Sequence, residues 1–141
     1  MLAVHQFKGP FRFLSNFVAA PINYEGQVYP TVEHAYQAAK TTNLHERFRV
    51  YQALTPGAAK RVGRHVTMRQ NWHTIKNDVM LDLLRQKFSQ PMYKRLLLDT
   101  GSAELTEGNT WGDTYWGVCE GKGMNKLGLL LMQVRKELRD E

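Results

Sequence analysis

One cysteine in 141 residues excludes an intrachain disulfide and any zinc site built on several thiolates, and a lone Cys119 fits a reducing cytoplasm. The histidines (His5, His34, His45, His65 and His73) include no pair at i,i+4, and Glu33-His34 does not extend to HExxH, so no metal-ligand set is expected. Long apolar runs are missing too. None approaches the roughly 20 residues of a membrane span, and Met1-Leu2-Ala3-Val4-His5-Gln6 lacks the basic start and apolar core of a secretory signal. A P-loop, a GxGxxG and a GxSxG are likewise absent, and Cys119 has no base partner nearby in sequence. Without repeats, low-complexity tracts or a long linker, residues 1–141 read as a single domain. What is present is ordinary for a soluble globular protein: 43% hydrophobic and 23% charged residues. The net charge of +6 permits a phosphorylated or nucleic-acid partner without requiring one.

Along the chain, Phe11 to Phe17 is aromatic-rich and reads as extended or looped. Pro21 to Tyr24 and Gln27 to Tyr29 flank Glu25-Gly26, the pattern of a small β-hairpin. Helices are expected over Val32–Lys40, His45–Leu54, Gly57–Arg64 (behind the Thr55 cap and Pro56), Asn71–Phe88 and Asn125–Arg139, with a short one seeded by Pro91 and ended by Gly101. Ile75, Val79 and Leu83, less regularly joined by Met80, Leu84 and Phe88, mark the apolar stripe of the long helix. Leu127, Leu130, Leu131 and Val134 mark that of the last. Tyr115 to Val118 reads as a short strand. The expected fold is α+β, mainly helical, with a small sheet or hairpin.

The most informative stretch is Tyr29 to Lys40. Thr31 can cap a helix, and Glu33 then lies in its first turn, where the helix dipole favours an anion. Glu33, Tyr36, Gln37 and Lys40 follow at i, i+3, i+4 and i+7 and share one face. That row describes either a site or a solvated polar surface. Asp113 is the second carboxylate of interest, in a Gly- and Trp-rich loop that either stacks on a planar base or simply anchors Trp111 and Trp116 in a core. Trp72 either packs or borders a pocket, with Arg69 offering a guanidinium to phosphate. Lys60, Arg61, Arg64, His65 and Arg69 form a basic run that is either a solvated face or an anion contact.

Three segments in order resemble the YbiA-like, or NADAR, family of N-glycosidases: Leu14-Ser15-Asn16-Phe17 with Tyr29 to Lys40; Trp72 with Lys76, Val79-Met80 and Lys87-Phe88; and Asp113 to Gly117 with Asn125-Lys126-Leu127-Gly128 and Leu130 to Met132. The resemblance runs from about Phe7 to Val134. It implies a cofactor-independent hydrolase that cuts an N-ribosidic bond, acting on ribosylamino-pyrimidine phosphates of riboflavin synthesis or removing ADP-ribose from guanine in DNA, RNA or nucleotides. It carries Ser15, Asn16, Phe17, Glu33, Lys40, Trp72, Asp113, Trp116 and Asn125 over as site positions. After Phe17 the chain continues Val18-Ala19-Ala20 where relatives often have an aromatic, a difference that bears on substrate choice.

On this reading Glu33 or Asp113 steadies the sugar's positive charge and activates water. Trp72 or Trp116 stacks on the base, while Asn16 and Asn125 hold ribose hydroxyls or phosphate. Lys40 either orients Glu33 or donates a hydrogen bond to the leaving group, or instead attacks the sugar as an amine to form a Schiff base. A non-catalytic nucleotide- or nucleic-acid-binding module is the competing expectation. It uses the basic run and the aromatics but does not need Glu33 or Asp113. A purely structural protein with a polar helix face is the third.

Overall fold

A computed structural model describes residues 2–141. In chain order it contains β1 (Ala3–Val4), a 3₁₀ turn (Gly9–Leu14), β2 (Ile22–Tyr24), β3 (Gln27–Tyr29), α1 (Val32–Ala39), α2 (Leu44–Gln52), α3 (Pro56–Gly63), α4 (Trp72–Ser89), α5 (Pro91–Asp99), β4 (Glu104–Leu105), β5 (Gly108–Asn109), β6 (Val118–Cys119) and α6 (Lys126–Arg139). About half of the described residues are helical, and among them lie three two-stranded sheets, as the α+β expectation has it. Among the described residues no helix is long and apolar enough to cross a membrane. The chain gathers into two compact units, one made of the described residues up to Ser15 with Phe88–Glu141, the other of Asn16–Lys87.

The 16–87 unit is organised around α1, which packs on α2, α3, β2 and β3. The hairpin forms where its turn residues place it. Glu25 and Gly26 have φ of 48° and 91°, the positive pair a type I′ turn requires, and Ile22 pairs with the buried Tyr29. The three following helices are each stopped at the front by a side chain that accepts an orphan amide: Thr31 from His34, Asn43 from Glu46 and Thr55 from Ala58. α2 accordingly starts one residue earlier than expected and ends at Gln52 rather than Leu54. On α4 the deeply buried side chains of this unit are Trp72, Met80, Leu83, Leu84 and Lys87, whereas Ile75 and Val79 are only half-buried. The buried seam is thus rotated from the Ile75–Val79–Leu83 row, and a lysine occupies part of it.

In the other unit, Gly9–Leu14 is a 3₁₀ turn rather than an extended run. Pro10 stands at its start, where the missing N–H is harmless and the fixed φ suits a helical turn. The turn packs against α5. β1 pairs parallel with β4, Ala3 opposite Glu104, and β5 pairs parallel with β6, Gly108 opposite Val118. The strand expected over Tyr115–Val118 begins only at Val118. The amides of Tyr115 and Trp116 both donate to the Asp113 carboxylate, so neither is available for a ladder. α6 packs on α5 and β4 with Leu127, Leu131 and Val134 buried, and Leu130 lies half-exposed instead.

Candidate active site

Helix α1 begins on a closed hydrogen-bond unit. Thr31 Oγ1 accepts the His34 backbone N–H at 3.0 Å and meets His34 Nδ1 at 2.8 Å. His34 Nε2 lies 3.0 Å from the Ala53 carbonyl. A carbonyl only accepts, so Nε2 carries the ring proton and Nδ1 accepts the Thr31 hydroxyl. The first turn is held further by the Glu33 amide donating to the Asn16 carbonyl at 3.2 Å.

All eight residues of α1 are buried. Glu33 is 8% exposed, Tyr36 7% and Gln37 3%, so the row of polar groups is not a solvated face. Burying a carboxylate costs several kcal/mol unless partners replace its water. One partner is explicit: Gln37 Nε2 donates to Glu33 Oε2 at 2.5 Å. Helix α3 comes so close at Gly63 that a Cβ there would collide with the Gln37 amide, so only glycine lets the two helices meet over this pair.

Two buried amide oxygens of this unit, Asn16 Oδ1 and Gln37 Oε1, have no hydrogen-bond partner among the described residues. The Asn16 amide N–H meets only the Met80 sulfur, at 3.5 Å. Buried polar atoms are nearly always paired in folded proteins; the Gln37 oxygen belongs to the amide that holds the Glu33 carboxylate, and Asn16 joins the same turn through its backbone carbonyl.

Lys40 closes the other end of α1. Its Nζ sits 5.7 Å from the centre of the Tyr36 ring, a cation–π distance. Tyr36 in turn leans on Trp72, with ring centroids 5.1 Å apart and planes at 57°. Trp72 is 2% exposed and packs on Tyr36 beside Lys40, the packing alternative of the sequence. Burial pushes the Lys40 amine below the usual lysine range. The Glu33 charge pulls it back up, and Lys60, Arg64 and Lys76 add to the lowering. Two members of the basic run therefore act on Lys40, while Arg61 and His65 are exposed. Arg69 donates its backbone N–H to the Lys40 carbonyl at 2.7 Å and its Nε to Asn71 Oδ1 at 3.0 Å.

The 16–87 unit thus brings together Asn16, Glu33, Lys40, Arg69 and Trp72 from the expected set, with Phe17 half-buried in the same unit. Ser15, Asp113, Trp116 and Asn125 belong to the other unit. There the Ser15 amide ends the 3₁₀ turn on Arg12. Asp113 Oδ1 accepts from Tyr115 and Trp116 at 3.1 and 2.9 Å, and Asn109 grips the same loop through Asp113 N and O. Trp116 is half-buried against Tyr115, and Trp111 is 58% exposed, so Trp111 is no core anchor. Asn125 adopts a left-handed conformation and ties Glu107 N and Leu105 O together at 3.0 Å each. Tyr36 and Gln37 stood on the Glu33 face by spacing but without a role of their own, and Gly63 is the residue of this arrangement that sequence reasoning did not single out. A glycine inside a helix was the signal that pointed to it.

The NADAR domain profile matches residues 4–139. The chain belongs to the NADAR family. Its NADAR relatives include N-glycosidase YbiA of Escherichia coli K12, 43% identical over 131 residues that make up 90% of this chain and 81% of the relative. A riboflavin biosynthesis protein of Vibrio vulnificus is 37% identical over 91% of this chain and 36% of its own. The NMR structure of E. coli YbiA superposes with a TM-score of 0.84 at 37% identity, covering 99% of this chain and 90% of that one. The mixed helical fold is therefore a NADAR fold.

Proposed function

We infer that this NADAR protein is an N-glycosidase, a hydrolase that cuts the bond between an anomeric ribose carbon and a base or amino nitrogen. The supporting observation is the buried Glu33 carboxylate, held by Gln37, two helical turns before a desolvated lysine and in one unit with two unpaired buried amide oxygens. A solvated helix face needs none of this, and a module that merely binds phosphate has no use for a buried anion.

Cleavage of an N-riboside builds positive charge on the sugar. Glu33, poorly screened because it is buried, stabilises that charge and takes a proton from the attacking water. Water oxygen bonds to the anomeric carbon as the carbon–nitrogen bond breaks, and the leaving nitrogen needs a proton. Lys40, whose lowered pKa makes proton release easier near neutrality, supplies it. Asn16 Oδ1 accepts from a ribose hydroxyl, which satisfies that orphaned atom, while Gln37, covered by Gly63, orients Glu33. Trp72 and Tyr36 form the apolar wall. Asp113, whose Oδ1 is engaged with its own loop, positions that loop and Trp116 with it.

The substrate is a phosphorylated N-riboside, with two candidates: a ribosylamino-pyrimidine phosphate, in keeping with the riboflavin biosynthesis relative, and ADP-ribosylated guanine in nucleic acid or nucleotide. The reaction belongs in the cytoplasm, where Cys119 stays reduced. A nucleophilic Lys40 is the second reading, favoured by the same desolvation. Borohydride present during turnover would trap its imine as a stable adduct of one sugar.

Mass spectrometry of products from both substrates, for wild type and Glu33→Gln, tests the assignment. Wild type should release ribose 5-phosphate or ADP-ribose, and Glu33→Gln should fold, bind and be slower by about 10²–10⁴-fold. Undiminished turnover in Glu33→Gln removes the carboxylate from the mechanism. Binding without any wild-type turnover leaves the non-catalytic module.

A further inference from the structure

A cleft of about 650 Å³ opens in the 16–87 unit between residues 41–43 and 67–71. It starts where the active helix ends. Thr41 follows Lys40 directly, Trp72 follows the last lining residue, Asn71, and the Arg69 amide bonded to the Lys40 carbonyl joins the two rims.

No acidic residue lines this cleft. What its side chains offer is decided by which atoms are already used. Asn43 Oδ1 is taken by the Glu46 amide and Asn71 Oδ1 by Arg69 Nε. Each asparagine is left with its NH₂ group, and Arg69 with its two terminal nitrogens. None of these donors has a partner among the described residues. The nearby carboxylate, Glu46, is spent on the rim itself: Oε1 accepts from Thr41 Oγ1 and Thr67 N, and Oε2 from Thr67 Oγ1. Those bonds, the Thr67 amide first, hold its pKa below the usual carboxylate range. Donors with one cation and no free acceptor charge suit an oxyanion with several acceptor oxygens.

We propose that this cleft is a phosphoryl subsite, which receives the phosphate ester of the N-riboside cut beside Glu33 and Lys40, with Arg69, Asn43 and Asn71 as its donors. This rests on the N-glycosidase reading for the identity of the ligand. The subsite itself is defined by the cleft and its donor set. It gives the enzyme a reason to prefer phosphorylated over unphosphorylated ribosides by affinity, at a point removed from the reacting carbon.

Ribose 5-phosphate, ribose and inorganic phosphate are the probes, followed by amide chemical shifts and calorimetry on wild type, Asn43→Asp and Glu33→Gln. Asn43→Asp is chosen because aspartate caps a helix as well as asparagine, so α2 keeps its start while the donor becomes an anion. Ribose 5-phosphate should shift the amides of residues 41–43 and 67–71 and bind more tightly than inorganic phosphate, which should compete for the same amides. Ribose should leave those amides unmoved. Asn43→Asp should weaken ribose 5-phosphate by at least about tenfold, the loss of one charged hydrogen bond, with an unchanged melting temperature. Glu33→Gln should bind it like wild type, so loss of the glycosidase reading in the turnover assay is separable from loss of this subsite. Shifts confined to other residues, an unweakened Asn43→Asp, or inorganic phosphate binding as tightly as the ester would each overturn the proposal.

Discussion

Replacing Gly63 with alanine tests the contact that holds the candidate active site together. Gly63 ends α3 with an ordinary backbone conformation, so the glycine is required by space and not by φ. An added Cβ would lie 3.0 Å from Gln37 Cβ and overlap the Gln37 amide. Gln37 is 3% exposed and has nowhere to swing. Alanine gains about 1 kcal/mol of helix propensity over glycine, whereas overpacking a filled interior costs about 1–3 kcal/mol. The net loss of stability should therefore be small, about 0–2 kcal/mol. The effect on turnover should be larger. Moving the Gln37 amide breaks its 2.5 Å bond to Glu33, and a hydrogen bond to a charged group is worth about 1.5–3 kcal/mol, or roughly 10- to 150-fold in kcat/KM. Urea unfolding and steady-state kinetics on the same preparation measure both. In a Gln37→Ala background, Gly63→Ala should cost little further stability, because the amide it would strike is gone, and turnover should stay slow. A Gly63→Ala protein that is about 1 kcal/mol more stable than wild type and fully active would refute the close-approach argument.

Two further perturbations read other parts of the same unit. Thr31→Val removes both the N-cap of α1 and the hydroxyl facing the buried His34 Nδ1; denaturant unfolding should show a loss of about 2–4 kcal/mol, the cap plus an orphaned ring nitrogen, and a loss under about 0.5 kcal/mol would mean the cap is redundant. Burial pushes the fully buried Lys87 amine down to about 7 from 10.5; the unfolded chain then binds more protons between those values, so this group makes stability rise with pH from about 7 upward, by up to about 1.4 kcal/mol per pH unit. Lys87→Met should flatten that slope between pH 7 and 9, and parallel stability curves for the two proteins would show that the lysine stays charged in the fold.

Local chemistry wrote much of this protein into its sequence. Thr31, Thr55-Pro56 and Glu25-Gly26 determined where two helices and a hairpin begin or turn, because caps and type I′ turns involve only residues two or three positions apart. The shared face of Glu33, Gln37 and Lys40 followed from helical spacing alone. Tertiary structure decided the rest, since burial depends on neighbours distant in the chain. It turned that face inward, set Gly63 against Gln37 and seated Lys87 in an apolar seam. It also paired β1 with β4 across about a hundred residues, a contact no local pattern announces because neither two-residue strand carries a period of its own. Asp113 and Asn125 show the same division. Their residue types and loop context were legible, but the engagement of Asp113 Oδ1 with the loop's own amides, and of both ends of the Asn125 side chain with backbone groups of residues 105 and 107, is geometry that only the folded chain supplies.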